Sequence, residues 1–140
     1  MNQRHMADLI RDQRPLALPP TATVHEACRH MRERRVGAVL VIDAERRLLG
    51  IFTGRDAVGR VVAEARDARA TTIETVMTPK PDRIGPETTA IEALRRMQDG
   101  GYRHLPIVAN GRVVGIVSRG DFLGLEQARL DEETGLWERI

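Results

Sequence analysis

The sequence predicts an α+β fold built from two copies of one β-α-β-β-α unit. Residues 50–56 read GIFTGRD and residues 115–121 read GIVSRGD. Both stretches contain glycine, two apolar residues, a hydroxyl residue, two variable residues and aspartate. The wide spacing between them suits two half-domains better than a small solenoid repeat. Helix caps, apolar helix faces and strand runs recur at nearly the same distance.

Each half is predicted to contain a capped amphipathic helix. Thr23 and Glu26 have the S/T-x-x-E spacing of a capping box, and Thr89 and Glu92 repeat it. Apolar residues follow each cap at positions i, i+3, i+4 and i+7, which indicates one buried helix face. They are Val24, Ala27, Cys28 and Met31 in the first copy, and Ala90, Ala93, Leu94 and Met97, at the corresponding positions, in the second.

Each helix is followed by a predicted β-hairpin. Residues 38–42 form a continuous apolar run, which is typical of a strand buried on both faces. Residues 43–46 are a polar loop, and residues 48–52 return as the second strand. In the other half, residues 105–108 correspond to residues 39–42, and the loop is the shorter Asn110-Gly111. Because both of its positions accept positive φ, this pair favours a type I′ turn.

The repeated motif is predicted to end a strand and begin a helix. The first such helix should start near Thr53 and include Ala57, Val58, Val61 and Val62, and the second should cover residues 119–130. We accordingly assign residues 1–70 to the first unit and residues 71–128 to the second. Residues 129–140 are predicted to form a solvated C-terminal tail.

Composition narrows the class of protein. The 140 residues are 41% hydrophobic, 30% charged and only 3% aromatic, so the core must be largely aliphatic. All but one of the 22 basic side chains are arginine, but they alternate with 20 acidic residues and the net charge is +2. Without a basic face, nucleic-acid binding is not predicted.

Cysteine content and hydropathy favour a cytoplasmic protein. Cys28 is the single cysteine, which excludes an intrachain disulfide and a cysteine-based zinc site, and it is interpreted as core packing. No apolar run approaches the roughly 18–20 residues of a membrane span. The polar residues 1–5 lead into no signal-peptide stretch. We therefore expect a reducing compartment and no membrane partner.

The repeated motif combines groups that suit a nucleotide. At a helix start, the hydroxyl of Thr53 can donate to a phosphate whose charge the helix dipole attracts. Asp56, one turn later, can accept hydrogen bonds from both hydroxyls of a ribose. Ser118 and Asp121 repeat this set. S/T-x-x-D is also a helix-capping pattern, and capping alone would account for all four residues.

The tandem Gly-x-x-Thr/Ser-x-x-Asp motifs resemble those of the cystathionine-β-synthase (CBS) domain pair, or Bateman module. Residues 75–79 (TVMTP) and 102–108 (YRHLPIV) add to the resemblance, which covers about residues 6–125. Residues 76–78 match the start of a CBS unit, and residues 9–11, at the corresponding place in the first unit, match it less well. The resemblance implies two CBS units related by a pseudo-twofold axis, and a homodimer of the chain.

The resemblance also implies a ligand, an adenine nucleotide of the AMP, ADP or ATP class, bound in clefts between the units. Hydroxyl and aspartate would contact phosphate and ribose, and each corner would face residues of the other unit. Thr53 and Asp56 would face Met77 with Arg103 and His104, whereas Ser118 and Asp121 would face residues 9–10 with Gly37 and Ala38. Arg55, Arg103, His104 and Arg119 are the phosphate candidates.

No catalytic motif accompanies these residues. The sequence contains no P-loop lysine, nucleophile elbow, metal triad or GxGxxG stretch, so an enzyme and an obligatory cofactor are not predicted. The first hypothesis is a regulatory module whose nucleotide binding is read by an unidentified effector protein. The alternative is an interaction scaffold that dimerises without a small molecule. A homodimer is expected because the apolar faces of the last helices exceed what one chain covers (Val58, Val61 and Val62; Phe122, Leu123 and Leu125).

Overall fold

The computed structural model describes residues 4–122, 124, 126, 127, 129 and 130. Helices and β-hairpins are interspersed along the chain, in agreement with the predicted α+β class. In chain order they are α1 (Met6–Leu9), β1 (Ala17–Leu18), α2 (Val24–Arg34), β2 (Ala38–Ile42), β3 (Leu48–Thr53), α3 (Gly54–Asp56), β4 (Thr78–Pro79), α4 (Ala90–Gly100), β5 (His104–Ala109) and β6 (Arg112–Ser118). Helix α3 continues as a π-helix, Ala57–Val62, and 3-10 turns cover Ile73–Thr75 and Arg119–Asp121.

The described residues divide into two compact units that do not follow the sequence halves. The first-repeat unit comprises Arg14–Asp82 and Asn110–Val113. The second-repeat unit comprises the described residues of Met1–Gln13, Arg83–Ala109 and Val114–Ile140. The predicted boundary at residue 70 therefore separates the repeats along the sequence but does not separate these units in space.

Backbone hydrogen bonds explain why the first residues join the second repeat. The N–H groups of Met6 and Ala7 donate to the carbonyls of Thr88 and Pro86, both at 2.8 Å. The Ala90 N–H at the start of α4 donates to the Arg4 carbonyl, also at 2.8 Å. The Met6 side chain is fully buried in the core of this unit. The N-terminal segment is thus tied to the residues that precede and begin α4.

The first-repeat unit is built on a four-stranded sheet in the order β1-β2-β3-β4. Strand β1 runs parallel to β2, whereas the β2–β3 and β3–β4 pairs are antiparallel. Four of the five residues of β2 are buried, as its continuous apolar run predicts. The apolar core of this unit includes Leu16, Val24, Ala27, Val39, Phe52, Val61 and Ile73.

The second-repeat unit repeats the hairpin and the helix. Strands β5 and β6 pair, and Ile84 forms a parallel bridge with Ile107. Its core includes Met6, Ala93, Met97, Leu105, Ile107 and Val117. The connecting residues Asn110 and Gly111 have φ values of 53° and 77°, which confirms the left-handed pair expected of a type I′ turn.

The two long helices begin at the predicted threonines, but only the threonine half of each predicted capping box forms, without a return bond from Glu26 or Glu92. The Thr23 hydroxyl accepts from the Glu26 N–H at 3.1 Å, and the Thr89 hydroxyl accepts from the Glu92 N–H at 3.2 Å. In α4, the Glu92 carboxylate pairs with Arg95 at 2.6 Å, on its own helix. The predicted apolar faces are buried, with Cys28 half-buried at the edge.

Buried structure continues beyond residue 128, the predicted end of the second unit. Arg129 and Leu130 are helical, and the Leu130 side chain is fully buried. The predicted solvated tail therefore does not begin at residue 129. Residues 131–140, and the predicted dimer residues Leu123 and Leu125, lie outside the described residues. Within the part of the chain that is described, no helix is both long enough and apolar enough to cross a bilayer.

Candidate functional site

The first repeated motif forms a tight strand-to-helix corner, which we call the Thr53 corner (residues 53–56). Thr53 ends β3 in an extended conformation, with φ −119° and ψ 169°. Its hydroxyl accepts from the Asp56 N–H at 3.3 Å, while Asp56 Oδ2 accepts from the Thr53 N–H at 2.9 Å and from its hydroxyl at 3.2 Å. The predicted capping role of this pair is confirmed.

The second oxygen of Asp56 faces a cation that sequence reasoning did not single out. Arg60 Nε lies 3.6 Å from Asp56 Oδ1. The same guanidinium donates to the carbonyls of Val76 at 3.3 Å and Met77 at 2.8 Å. Arg60 therefore connects the π-helix both to the corner and to the chain that enters β4. The i,i+4 spacing of Asp56 and Arg60 was the available sequence signal.

Met77, predicted to face this corner, and Gly37 and Ala38, predicted to face the Ser118 corner, all belong to the first-repeat unit. The Gly37 carbonyl accepts from the Gly54 N–H at 3.2 Å, and Ala38 is the β-sheet partner of Thr53. Met77 packs on the α-carbon of Gly50, where any Cβ would overlap its sulfur. Arg55 is exposed at the corner itself.

The second repeated motif forms a matching corner, the Ser118 corner (residues 118–121). Asp121 Oδ2 accepts from the Ser118 N–H at 2.7 Å and from its hydroxyl at 3.3 Å. The turn after Ser118 is a 3-10 helix rather than α, and Asp121 is exposed whereas Asp56 is buried. Ile10 packs on Gly115 as Met77 packs on Gly50, which places the predicted residues 9–10 in this unit.

Arg103 and His104 belong to the second-repeat unit, together with the Ser118 corner. The Arg103 carbonyl accepts from the N–H of Arg119 at 3.1 Å. Burial lowers the pKa of His104; the charge of Asp121 opposes this shift and that of Arg103 adds to it. Arg103 and Arg119 are both exposed. The pairing of these residues with the Thr53 corner stays a prediction.

A partly buried ion pair at the Ser118 corner was not predicted. Arg4 donates to both carboxylate oxygens of the buried Glu126, at 2.6 and 3.2 Å, and to the Asp121 carbonyl at 3.1 Å. The Glu126 carboxylate raises the pKa of Arg4. Because 122 residues separate the two partners, no local pattern in the sequence indicates this contact.

Neither corner carries a metal-ligand set. Across the described ranges, no group of three or more histidine, cysteine, aspartate or glutamate side chains is arranged to hold a metal ion. What each corner offers is a hydroxyl, a carboxylate and an exposed arginine within four residues. Such a set suits hydrogen bonding to a polar, anionic ligand rather than metal coordination.

Comparison with known proteins identifies the family. The CBS domain family matches residues 7–63 and 73–127. A CBS domain-containing protein of Arabidopsis thaliana is 40% identical over 108 residues, which are 77% of this chain and 20% of that protein. An uncharacterized 17.7 kDa protein of Acidianus ambivalens is 39% identical over 116 residues, 82% of this chain and 67% of that protein. The chain thus spans about a fifth of the length of the Arabidopsis relative.

Solved structures agree with the sequence comparison. A CBS-domain containing protein from Agrobacterium tumefaciens superposes with a TM-score of 0.77 at 31% identity, covering 89% of this chain and 98% of that one. A CBS domain protein from Pyrobaculum aerophilum, solved in complex with AMP, gives a TM-score of 0.82 at 24% identity, with 91% and 98% coverage. The two matched domains and the relatives of about 40% identity show that the chain belongs to the CBS domain family, a family of regulatory modules.

Proposed function

We propose that this CBS pair is a regulatory module that binds an adenine nucleotide of the AMP, ADP or ATP class. The observation that carries the proposal is the repeated corner, in which Thr53 with Asp56, and Ser118 with Asp121, set a hydroxyl beside a carboxylate at the start of a helix. In each corner the two groups match the two polar parts of a nucleotide, its phosphate and its ribose.

The chemistry of each group supports this assignment. A carboxylate accepts hydrogen bonds from the two adjacent hydroxyls of a ribose, whereas it repels a phosphate. The Thr53 hydroxyl donates to Asp56 at 3.2 Å, and the Ser118 hydroxyl donates to Asp121 at 3.3 Å. When ribose hydroxyls donate to the aspartate instead, the threonine or serine hydroxyl is free to donate to a phosphate oxygen. The exposed Arg55 and Arg119 supply cations that suit the phosphate.

The comparison with solved structures supports the ligand class at the level of the fold. The Pyrobaculum aerophilum protein was solved with AMP, so a chain of this fold accommodates an adenine nucleotide. At 24% identity, that likeness concerns the fold alone. The proposal for this chain therefore rests on its own corner residues.

A second candidate function is an interaction scaffold without a small-molecule ligand. The observation that favours it is the completeness of the Thr53 corner, where hydroxyl, carboxylate and backbone N–H groups satisfy one another. A helix cap of this kind needs no ligand to explain it.

Thermal unfolding separates the two functions. A ligand that binds only the native state raises stability, by about 2.7 kcal/mol at a concentration 100 times Kd. We expect millimolar AMP, ADP or ATP to raise Tm by several degrees, and 2′,3′-dideoxy-AMP to have a much smaller effect. If none of the natural nucleotides changes Tm, the scaffold function replaces the regulatory one.

Two isosteric variants test the ribose contact, with a matched control. Asp121→Asn and Asp56→Asn keep a side-chain oxygen for the cap but remove the charge that favours the diol. Together they should abolish the AMP-dependent rise in Tm. Asp99→Asn, an exposed change of equal charge in α4, should leave the rise intact.

We further propose that the chain acts as a homodimer and passes its signal to an effector protein. Val58 and Val62, one turn apart on the π-helix, are 65% and 73% exposed. Apolar side chains so exposed on one helix favour contact with a second copy of the chain. A binding module without a catalytic set needs a partner to read its state.

A further inference from the structure

We infer that Arg60 determines which corner takes the nucleotide, by occupying Asp56 so that the Ser118 corner is filled first. The inference rests on the proposed function and concerns the order of binding within it.

Both carboxylate oxygens of Asp56 are engaged. Oδ2 accepts two hydrogen bonds from Thr53, and Oδ1 faces the Arg60 guanidinium at 3.6 Å. The Asp56 side chain is 12% exposed. A ribose hydroxyl that bonds to Oδ1 therefore competes with the arginine for this oxygen, at a side chain that is mostly covered.

Asp121 is in a different situation. Its side chain is exposed, and Leu125 follows it at the spacing by which Arg60 follows Asp56. Leucine cannot pair with a carboxylate. Arg119 lies within this corner, and Arg4 reaches it from the N-terminal segment, where it donates to the Asp121 main-chain carbonyl and to the carboxylate of Glu126. The Ser118 corner thus lacks the i,i+4 cation of the Thr53 corner.

Arg60 is held in place by more than Asp56. Its Nη1 donates to the Met77 carbonyl at 2.8 Å and to the Val76 carbonyl at 3.3 Å. These partners, Asp56, Val76 and Met77, belong to two segments of the first-repeat unit. If the Arg60 side chain rotates to another position, it therefore loses contacts with both segments. Releasing Asp56 to a ribose thus weakens the contact with Arg60, which has no i,i+4 counterpart at Asp121.

The test isolates the Thr53 corner by adding Asp121→Asn to each variant. In this background, Arg60→Gln removes the cation but keeps an amide that can donate to the Met77 carbonyl. We expect it to bind AMP about two- to fivefold more tightly than Asp121→Asn alone, in line with the strength of an ion pair near the surface. Arg32→Gln, an exposed change of equal charge in α2, should leave the affinity unchanged.

Calorimetric titration with AMP gives three distinct readings. An affinity unchanged by Arg60→Gln overturns the inference, and a weaker affinity overturns it as well, because Arg60 would then be a phosphate ligand. If wild-type protein binds no AMP at all, the proposed function fails and the order of binding fails with it.

If the Arg60→Gln variant does not fold, two variants that leave Arg60 unchanged test the order of binding instead. Asp56→Asn should retain the tighter AMP site of the wild type, whereas Asp121→Asn should lose it. Loss of the tighter site in Asp56→Asn but not in Asp121→Asn would overturn the order of binding while leaving the proposed function standing.

Discussion

At the scale of the residue, His104 is expected to make the stability of the second-repeat unit depend on pH. Burial lowers its pKa below the ordinary 6.5, Arg103 lowers it further, and Asp121 opposes both. In the unfolded chain the imidazole takes up a proton near its ordinary pKa, whereas the folded protein does so only at lower pH. The folded state therefore binds fewer protons in this window, and its stability falls as the pH drops.

We accordingly predict that the free energy of unfolding decreases as pH falls from about 7 through 6. His104→Gln should flatten this dependence, because it removes the group that charges on unfolding. Denaturant unfolding curves at several pH values measure the slope. His30→Gln, an exposed change in α2, serves as the control. An equally steep slope in His104→Gln would contradict the assignment.

The contacts that sequence could predict at this scale are the local ones. The Thr53–Asp56 cap follows from a three-residue spacing, since the geometry of a helix start fixes which groups meet. The Arg4–Glu126 pair could not be predicted, because its partners meet only when the first residues of the chain join the second repeat. Arg60 falls between these cases. Its i,i+4 spacing from Asp56 could be seen in the sequence, whereas its hydrogen bonds to the carbonyls of Val76 and Met77 could not be predicted.

At the scale of the element, the two long helices depend on equivalent threonine caps. Thr23→Ala and Thr89→Ala each remove the acceptor for one backbone N–H of the first turn. We predict a loss of about 1 kcal/mol in the free energy of unfolding for each. Chemical denaturation measures it, with Thr21→Ala, in the exposed turn before α2, as the control. A loss no larger than in the control would show that the caps contribute nothing to stability.

Helix periodicity identified the elements but not their exact winding. The apolar pattern predicted the helix through Ala57, Val58, Val61 and Val62, and that helix is present as a π-helix. The Ala63 N–H donates to the Val58 carbonyl, five residues back, at 2.9 Å. Apolar spacing distinguishes helix from strand, but over so short a segment it does not distinguish four-residue from five-residue hydrogen bonds.

At the scale of the whole molecule, the exposed valines of the π-helix bear on assembly. Val58→Gln with Val62→Gln should shift the proposed homodimer toward monomer, because burying glutamine at an apolar contact costs free energy that valine does not. Sedimentation equilibrium measures the shift at protein concentrations around the wild-type dissociation constant. Val36→Gln, at another exposed valine of the same unit, is the control. A double variant that stays as dimeric as the wild type would exclude this helix from the interface.

The sequence predicted that the chain contains two repeats, but not which segments of the chain make up each unit. The repeat is visible because the motif, the caps and the strand runs recur in the same order in both halves. That residues 4–13 join the second repeat and residues 71–82 the first is a matter of backbone pairing over long separations, such as the Ile73 N–H to the Ala22 carbonyl at 2.8 Å. Propensity and periodicity contain no information on which distant carbonyl an N–H will reach.

The bond from Arg4 to the Asp121 carbonyl has a consequence for fusion proteins. Anything joined ahead of residue 4, such as an affinity tag, a fluorescent reporter or a neighbouring domain, is attached within a few residues of a side chain that contacts the Ser118 corner. Tension or steric crowding there would act directly on the residues that we propose to contact the nucleotide. A reporter intended to sense the ligand is therefore best attached at this end, and a tag intended to be inert is best kept away from it.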